Sequence, residues 1–321
     1  MLKLINIVAA AALFVTTASA QVQFWQNEWP ITDFSKTSVD FNEIMSGGPP
    51  KDGIPALASV SFVAVSDHEI PLREPVIAVE IDGQVARAYP LRYLTWHEIA
   101  NDVIGDIPVA VTFCPLCNSG IVFDRRLNGR TLNFGVSGKL RFSDMVMFDR
   151  ETESWWQQFT GEAIVGDLLG QHLDVVISWT ESMEEFATRN PQGLVMAEPT
   201  NVSRSYGANP YAGYDRAARP FLYNGEEPPF GIEPLSRVIR VGNKAWPLER
   251  LVTVETLEEA GIRIVWTSGM ASALDTRRIS DGRNIGSIRV FDAAGNPVEH
   301  EVVFAFAFHA FAPDGEWMLG N

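Results

Sequence analysis

Apolar positions change their spacing several times along the chain, and each change marks an element. "EPVIAVEIDGQVARAYPL" (74–91) holds two runs rich in β-branched and aromatic residues on either side of Asp82-Gly83. That dipeptide favours a tight turn, so a β-hairpin is predicted. In "LRYLTWHEIANDVIG" (91–105) Leu91, Leu94, Ile99 and Val103 recur mostly three or four apart and Gly105 ends the run, which predicts a helix. "IPVAVTF" (107–113) is a short continuous apolar run and reads as a buried strand. "GIVFDRRLNGRTLNFGVSG" (120–138) predicts a second hairpin turning at Asn128-Gly129. "ESMEEFATRN" (181–190) predicts a helix stopped by Pro191. "FAFAFHAF" (304–311) alternates aromatic with other residues, and reads as a strand carrying His309 on a sheet face.

Part of this pattern occurs twice. "EPVIAVEIDGQVARAYPLRYL" (74–94) aligns with "SRVIRVGNKAWPLERL" (236–251), and "IPVAVTFCPLCNSGIVFDRRLNGR" (107–130) with "IRIVWTSGMASALDTRRISDGR" (262–283). The expected fold is a mixed α/β, β-rich body built from two related strand-hairpin-helix-strand units, an internal duplication. The expected organisation is a signal peptide at 1–20, an irregular segment at 21–56 and a first unit at 57–198. A Pro/Gly/Tyr-rich connection at 199–235 and a second unit at 236–321 complete it.

Composition narrows the class of protein. Residues 1–20 combine Lys3, an apolar run from Ile5 to Val15 and the small-x-small ending Ala18-Ser19-Ala20. These features predict a secretory signal cleaved after Ala20 and a periplasmic or secreted mature chain with no stable membrane span. The chain is 46% hydrophobic and 20% charged, an ordinary globular balance, with a net charge of −15. A surface that acidic argues against nucleic acid and anionic lipid as partners. Neither a small-molecule nor a protein partner is identified by composition.

The two cysteines of the chain sit together as Cys114-Pro115-Leu116-Cys117. A disulfide across two residues closes a very small ring, which stabilises little. Such pairs more often serve as redox couples or metal ligands. The residues after Cys117 favour a turn into a strand rather than the long helix of a thioredoxin-type motif, so a knuckle between strands is predicted. Three readings follow: a thiolate/imidazole centre for Cu or Zn, a thiol–disulfide redox protein, and a module binding a sugar or peptide without catalysis. For the first, His97 in "TWHEIAND" is the best imidazole to join Cys114 and Cys117; His68, His172, His300 and His309 are weaker candidates. Met145 and Met147 are soft donors suited to Cu(I) but sit at alternate positions, as core residues do. The third reading rests on Trp155 and Trp156 in "VMFDRETESWWQQFTGEAIVG" (146–166), which are flanked by Asp149, Arg150, Thr152, Ser154 and Gln158. Asp149 and Glu153 are candidates for general acid and base in that segment. "GGPPKDGIPAL" (47–57) is a rigid loop in which Lys51 and Asp52 are candidates to line a cleft.

These stretches, in order, resemble a large prokaryotic family known as domain of unknown function 3179. The resemblance spans roughly residues 45–320 and rests on "GGPPKDGIPAL", "AYPLRYLTWHEIAND", "VTFCPLCNSGIVFDR", "FGVSGKLRFSDMVMFDRETESWWQQ" and "GEAIVG". Matching the family motif carries over His97, Glu98, Asn101, Asp102, Cys114 and Cys117. It also carries over Asp149, Arg150, Thr152, Ser154, Trp156 and Gln158, with Lys51 and Asp52 in the loop. Asp149, Arg150 and Glu98 are thereby the catalytic candidates; the metal set is Cys114, Cys117 and His97, and the other residues line the cleft. "FAFHAFAPD" departs from the pattern at His309, where an aromatic residue is expected, which weakens that histidine as a ligand. The family name brings no activity.

Overall fold

The computed structural model describes residues 21–200 and 202–320. The expected signal at 1–20 lies outside the described residues. Strand makes up 36% and helix 16%. Five principal sheets of three to five strands and one two-stranded ribbon therefore carry the fold, in an arrangement that suggests a five-bladed propeller. No helix of the described residues is long and apolar enough to cross a membrane.

The segment expected to be irregular is partly ordered. Residues 21–28 are helical (α1) and β1 (Ile44–Ser46) joins a sheet. The reason is aromatic: Trp25 and Trp29 pack edge-to-face on Trp155 at 5.1 and 5.4 Å, and Trp29 meets Phe148 at 4.7 Å.

After β2 (Phe62–Ala64), the predicted hairpin forms as β3 (Pro75–Val79) and β4 (Arg87–Pro90). Helix α2 (Leu91–His97) is shorter than its apolar spacing predicts. It stops at Glu98, whose φ is +59°, and the β-branched residues beyond it form β5 (Ile99–Ile104). That strand pairs along its whole length with β6 (Ile107–Cys114), which pairs in turn with β7 (Ser119–Asp124). A fully buried strand and a buried helix share the same apolar content, so spacing alone could not separate them here. The ribbon β8 (Arg126–Leu127) and β9 (Arg130–Thr131) turns at Asn128-Gly129, as predicted. A meander follows: β10 (Phe134–Arg141), β11 (Asp144–Asp149), β12 (Trp155–Gln157) and β13 (Glu162–Val165). Then come β14 (Ser178–Ser182), α3 (Met183–Arg189) with a Ser182/Glu185 capping box, and β15 (Leu194–Met196).

The remainder contains β16 (Arg237–Val241), β17 (Lys244–Pro247), α4 (Glu249–Val252), β18 (Thr256–Glu259), β19 (Ile262–Thr267) and β20 (Ser287–Asp292). It closes with β21 (Glu301–Phe304), α5 (Ala305–Phe311) and β22 (Glu316–Trp317). The strand expected over 304–311 is thus a helix. Ala305, Phe306, Ala307 and Phe308 are all buried, so alternation there reports no sheet face, and alanine favours the helix.

The opening hairpins of the two regions and their flanking strands agree in order and register, but the continuations differ. Residues 119–131 form β7 and the β8–β9 ribbon, while residues 268–286, between β19 and β20, form no strand, so the expected duplication is not confirmed. Val76 pairs with Pro90 and Ile77 with Tyr89; Val238 pairs with Pro247 and Ile239 with Trp246. β14 lies antiparallel beside β3 and β21 beside β16; α3 and α5 follow those strands directly. β15 then runs parallel to β4, and β22 parallel to β17. Met183 N–H donates to the Glu74 carbonyl, and Ala305 N–H to that of Ser236. Between β7 and β14 stand residues 125–177; between β20 and β21 stand only 293–300. The main core runs through both regions, from Leu57 to Phe308.

Candidate functional site

β6 runs directly into the cysteines. Cys114 is its last residue and pairs with Ser119, the first of β7. The link between them is a knuckle, as predicted. Pro115 presets its own φ, Cys117 N–H donates to the Cys114 carbonyl at 3.3 Å, and Asn118 adopts φ +53°, which asparagine tolerates. The turn is stapled from the far end of the chain. Phe304 N–H donates to the Cys117 carbonyl at 2.9 Å, and Asn118 Nδ2 to the Val302 carbonyl at 2.7 Å. Both sulfurs face inward as buried, unbonded thiols.

A third group comes from the β10–β11 hairpin. Its two-residue link is Phe142-Ser143, with φ +51° and +65°. Such links favour Asn and Gly; Phe and Ser there cost roughly 1–2 kcal/mol each in backbone strain. The bend turns the Ser143 carbonyl toward the thiols, 3.6 Å from Cys117 Sγ and 4.0 Å from Cys114 Sγ. It also seats Asp144 beside them: the two sulfurs and a carboxylate oxygen of Asp144 lie within 4.8 Å of one another. Asp144 Oδ2 accepts from Gln157 Nε2 at 2.5 Å and from Phe159 N–H at 3.0 Å. Asp144 Oδ1 and the Ser143 hydroxyl are buried and have no partner.

Burial sets the electrostatics. It pushes the Cys114 thiol up, and the Cys117 thiol well up with Cys114 adding to the effect. It raises the Asp144 carboxyl to about 6, against the hydrogen bonds from Gln157 and Phe159. Burial thus shifts all three groups toward their protonated forms: the two thiols keep their protons when no cation faces them, whereas Asp144, at about 6, still ionises below neutral pH. A site of this kind takes up a cation by exchanging it for protons.

A cavity of about 440 Å³ adjoins the cluster. Leu116, between the cysteines, and Met145, next to Asp144, form part of its wall. Glu98 forms another part. Its unusual φ of +59° at the end of α2 turns its carboxyl inward, and burial raises that carboxyl to about 8, with the nearby Asp144 adding to the rise. The 199–235 connection is a strap across this site. Tyr206 Oη lies 2.6 Å from His97 Nε2, Tyr211 Oη donates to Glu98 Oε1 at 3.4 Å, and Tyr214 Oη donates to the Leu116 carbonyl at 3.1 Å.

His97 is not a member of the cysteine cluster. Its Nδ1 meets the Pro55 carbonyl at 2.6 Å, and its Nε2 is taken by Tyr206, so both ring nitrogens are engaged. Burial lowers its pKa. The ring holds the strap against the 47–57 loop.

Other residues singled out in the sequence are spread among structural networks. Asp149 caps the β11–β12 turn: it accepts from the Thr152 N–H at 2.7 Å, the Thr152 hydroxyl and, at 2.9 Å, Trp156 Nε1. Ser154 bonds the Thr152 hydroxyl at 2.8 Å. Arg150 pairs with Asp52 at the surface through two bonds of 2.7 and 2.9 Å. Lys51 turns back onto Glu153, with its ammonium 4.3 Å above the Trp29 ring. Asn101 latches Leu57 and Phe134, while Asp102 holds Arg87 and Tyr89. Gln158 donates to Thr112 and Ser119, two strand residues near the cysteines. Trp155 and Trp156 are fully buried, so neither offers a ring to a sugar. His300 meets only backbone carbonyls, those of Val298 at 2.8 Å and Ile288 at 3.1 Å, to which a protonated ring nitrogen donates, and His309 lies on α5.

Of the sequence candidates, the structure brings together Cys114, Cys117 and Glu98. It adds Asp144, Ser143, Tyr211 and Tyr214, which sequence reasoning passed over. The signal for Asp144 was weak, because the Phe142-Ser143 link lacks the Asn or Gly that marks a hairpin.

A family model described as Protein of unknown function (DUF3179) matches residues 51–315. No curated protein and no solved structure matches the chain.

Proposed function

Since the chain belongs to the DUF3179 family, whose description brings no activity, we propose from the site geometry that it is an exported metal-binding protein with a centre of Cys114, Cys117 and Asp144. The observation that carries this reading is the closeness of the three donors, all within 4.8 Å, beside a buried carboxylate oxygen without a partner. Tetrahedral zinc with bonds of about 2.3 Å to sulfur and about 2.0 Å to oxygen would set neighbouring ligand atoms roughly 3.5–3.8 Å apart, which falls inside this limit. A pair of soft thiolates with a hard carboxylate suits Zn²⁺ better than Cu(I), which prefers sulfur alone. Three protein donors leave one position for the Ser143 carbonyl, water or a ligand.

The redox alternative is less well supported. A couple needs an attacking thiolate, and burial raises both thiols. No helix begins at Cys117 to lower them.

An internal duplication also belongs to this reading. It is supported by the shared element order, by the matched hairpin registers and by the way β14 packs on β20 while β21 packs on β7. On that reading, Met270 stands in the second copy near the place of Cys117, and residues 131–177, beyond the aligned stretch, are an insertion carried only by the first. The insertion supplies Asp144, which explains why one copy alone holds the donor set.

The test is zinc analysis of the purified protein with competition against a colorimetric chelator. One zinc per chain is expected. Cys114→Ser, Cys117→Ser and Asp144→Asn should each strip it, while His97→Ala retains it. A wild-type chain that takes up no zinc, with thiols that cycle reversibly with a dithiol reagent, would replace the metal reading with the redox one.

A further inference from the structure

The cavity beside the cysteines holds a carboxyl that no cation among the described residues balances. Glu98 is 8% exposed and reaches the cavity wall. Its Oε1 has one long hydrogen bond, from Tyr211 at 3.4 Å, and among the described residues its Oε2 accepts none. A cation also lines the cavity, but it is already committed: Lys139 Nζ sits 2.9 Å from Glu28 Oε2. Among the described residues Glu98 is the only acidic one in the wall.

The rest of the wall is apolar and aromatic. Tyr211 and Tyr214 come from the strap, and Phe221, 48% exposed, stands at the mouth. Leu116 and Met145 close the inner side. A hard inorganic cation would require about six oxygen ligands, which this wall does not supply. A cation with dispersed charge and an apolar body meets the opposite environment: the Glu98 carboxyl, which gives up its proton to solvent as the cation enters, for the charge, and aromatic faces and alkyl groups for the rest. A chain with a net charge of −15 also attracts cations electrostatically.

We propose that this cavity is a binding site for an organic ammonium ion, with Glu98 as its counter-ion and Tyr211, Tyr214 and Phe221 as its aromatic wall. The site is separate from the cysteine–aspartate centre and does not depend on a metal there. The cavity's 440 Å³ falls within the usual range for small-molecule sites. The strap sets access: Tyr214 Oη holds the Leu116 carbonyl and also accepts from Phe221 N–H at 3.2 Å, so the mouth and the floor are tied through one side chain.

Titration calorimetry with choline and with 3,3-dimethyl-1-butanol, its neutral carbon isostere, tests the assignment on the full protein, with zinc and after chelation. The wild type should bind choline at least tenfold more tightly than the alcohol in both preparations. Glu98→Gln should remove that preference while leaving the alcohol unchanged. Equal binding of the two probes by the wild type, or no binding of choline at millimolar concentration, would overturn the proposal. A Glu98→Gln variant that folds and keeps full choline preference would overturn it as well. Loss of zinc from the cysteines with choline preference intact would instead count against the metal reading alone.

Discussion

Ser143→Gly should make the metal-free protein more stable, although it removes a side chain from the candidate site. Three effects decide the sign. Ser143 sits at φ +65°, where a side chain costs roughly 1–2 kcal/mol that glycine does not incur. Its hydroxyl is buried without a partner, and removing such a group recovers about 1–3 kcal/mol. Against this, glycine loses roughly 0.5–1 kcal/mol more backbone entropy on folding. The balance is a gain of about 1–4 kcal/mol. Urea unfolding of chelated, reduced protein followed by tryptophan fluorescence would read it. With a slope of about 1–3 kcal/mol per molar urea, the midpoint should rise by at least about 0.3 M. A midpoint that stays or falls would refute the reasoning, because it would mean that the hydroxyl has a partner or that the hairpin link is unstrained. Zinc loading provides the contrast: the strain is retained because the bend positions Asp144, so the same variant should hold zinc less tightly.

Two further substitutions test the frame around the site. Gly138→Ala should cost several kcal/mol or prevent folding, since a Cβ there would collide with the Pro49 carbonyl and the residue holds φ +73°; thermal unfolding and soluble yield would show it. Glu74 is buried beside Arg92, 3.1 Å from its Nε, and burial raises its carboxyl to about 7 from 4.5. The folded state therefore binds this proton more tightly than the unfolded state, so stability should fall as pH rises from 4.5 to 7, by up to about 3 kcal/mol. Urea midpoints measured across that window should show a slope that Glu74→Gln flattens.

Much of the framework was legible in the residues. β6, the knuckle and β7 follow from a β-branched run, a Cys-Pro-x-Cys turn and a second β-branched run. The Asp82-Gly83 hairpin and the α3 helix carried strong local signals, and both formed. Two errors share one cause. The helix expected over 91–105 ends at His97 and the strand expected over 304–311 is α5, because Ile99–Asn101 and Ala305–Phe308 are runs of consecutive buried residues, where apolar spacing loses its link to a face. The site was half legible. Its cysteines are adjacent in the chain, but Asp144 arrives from a separate hairpin and Tyr211 and Tyr214 from a loop of irregular composition, and no local pattern records such meetings. His97 was favoured because it is near the cysteines in sequence; its two ring nitrogens are used instead by Pro55 and Tyr206.

The bonds from Phe304 and Asn118 that close the knuckle join residues 187 (304 − 117) and 184 positions apart. The region with no cysteines thus acts as a jig whose backbone holds the knuckle that carries the sulfurs. Val302 contributes a carbonyl, so almost any side chain compatible with β21 can stand there, while a shift of that strand's path would misalign both donors together. A centre built this way resists drift in its surroundings and fails only when the two regions separate, which ties its occupancy to the integrity of the entire chain.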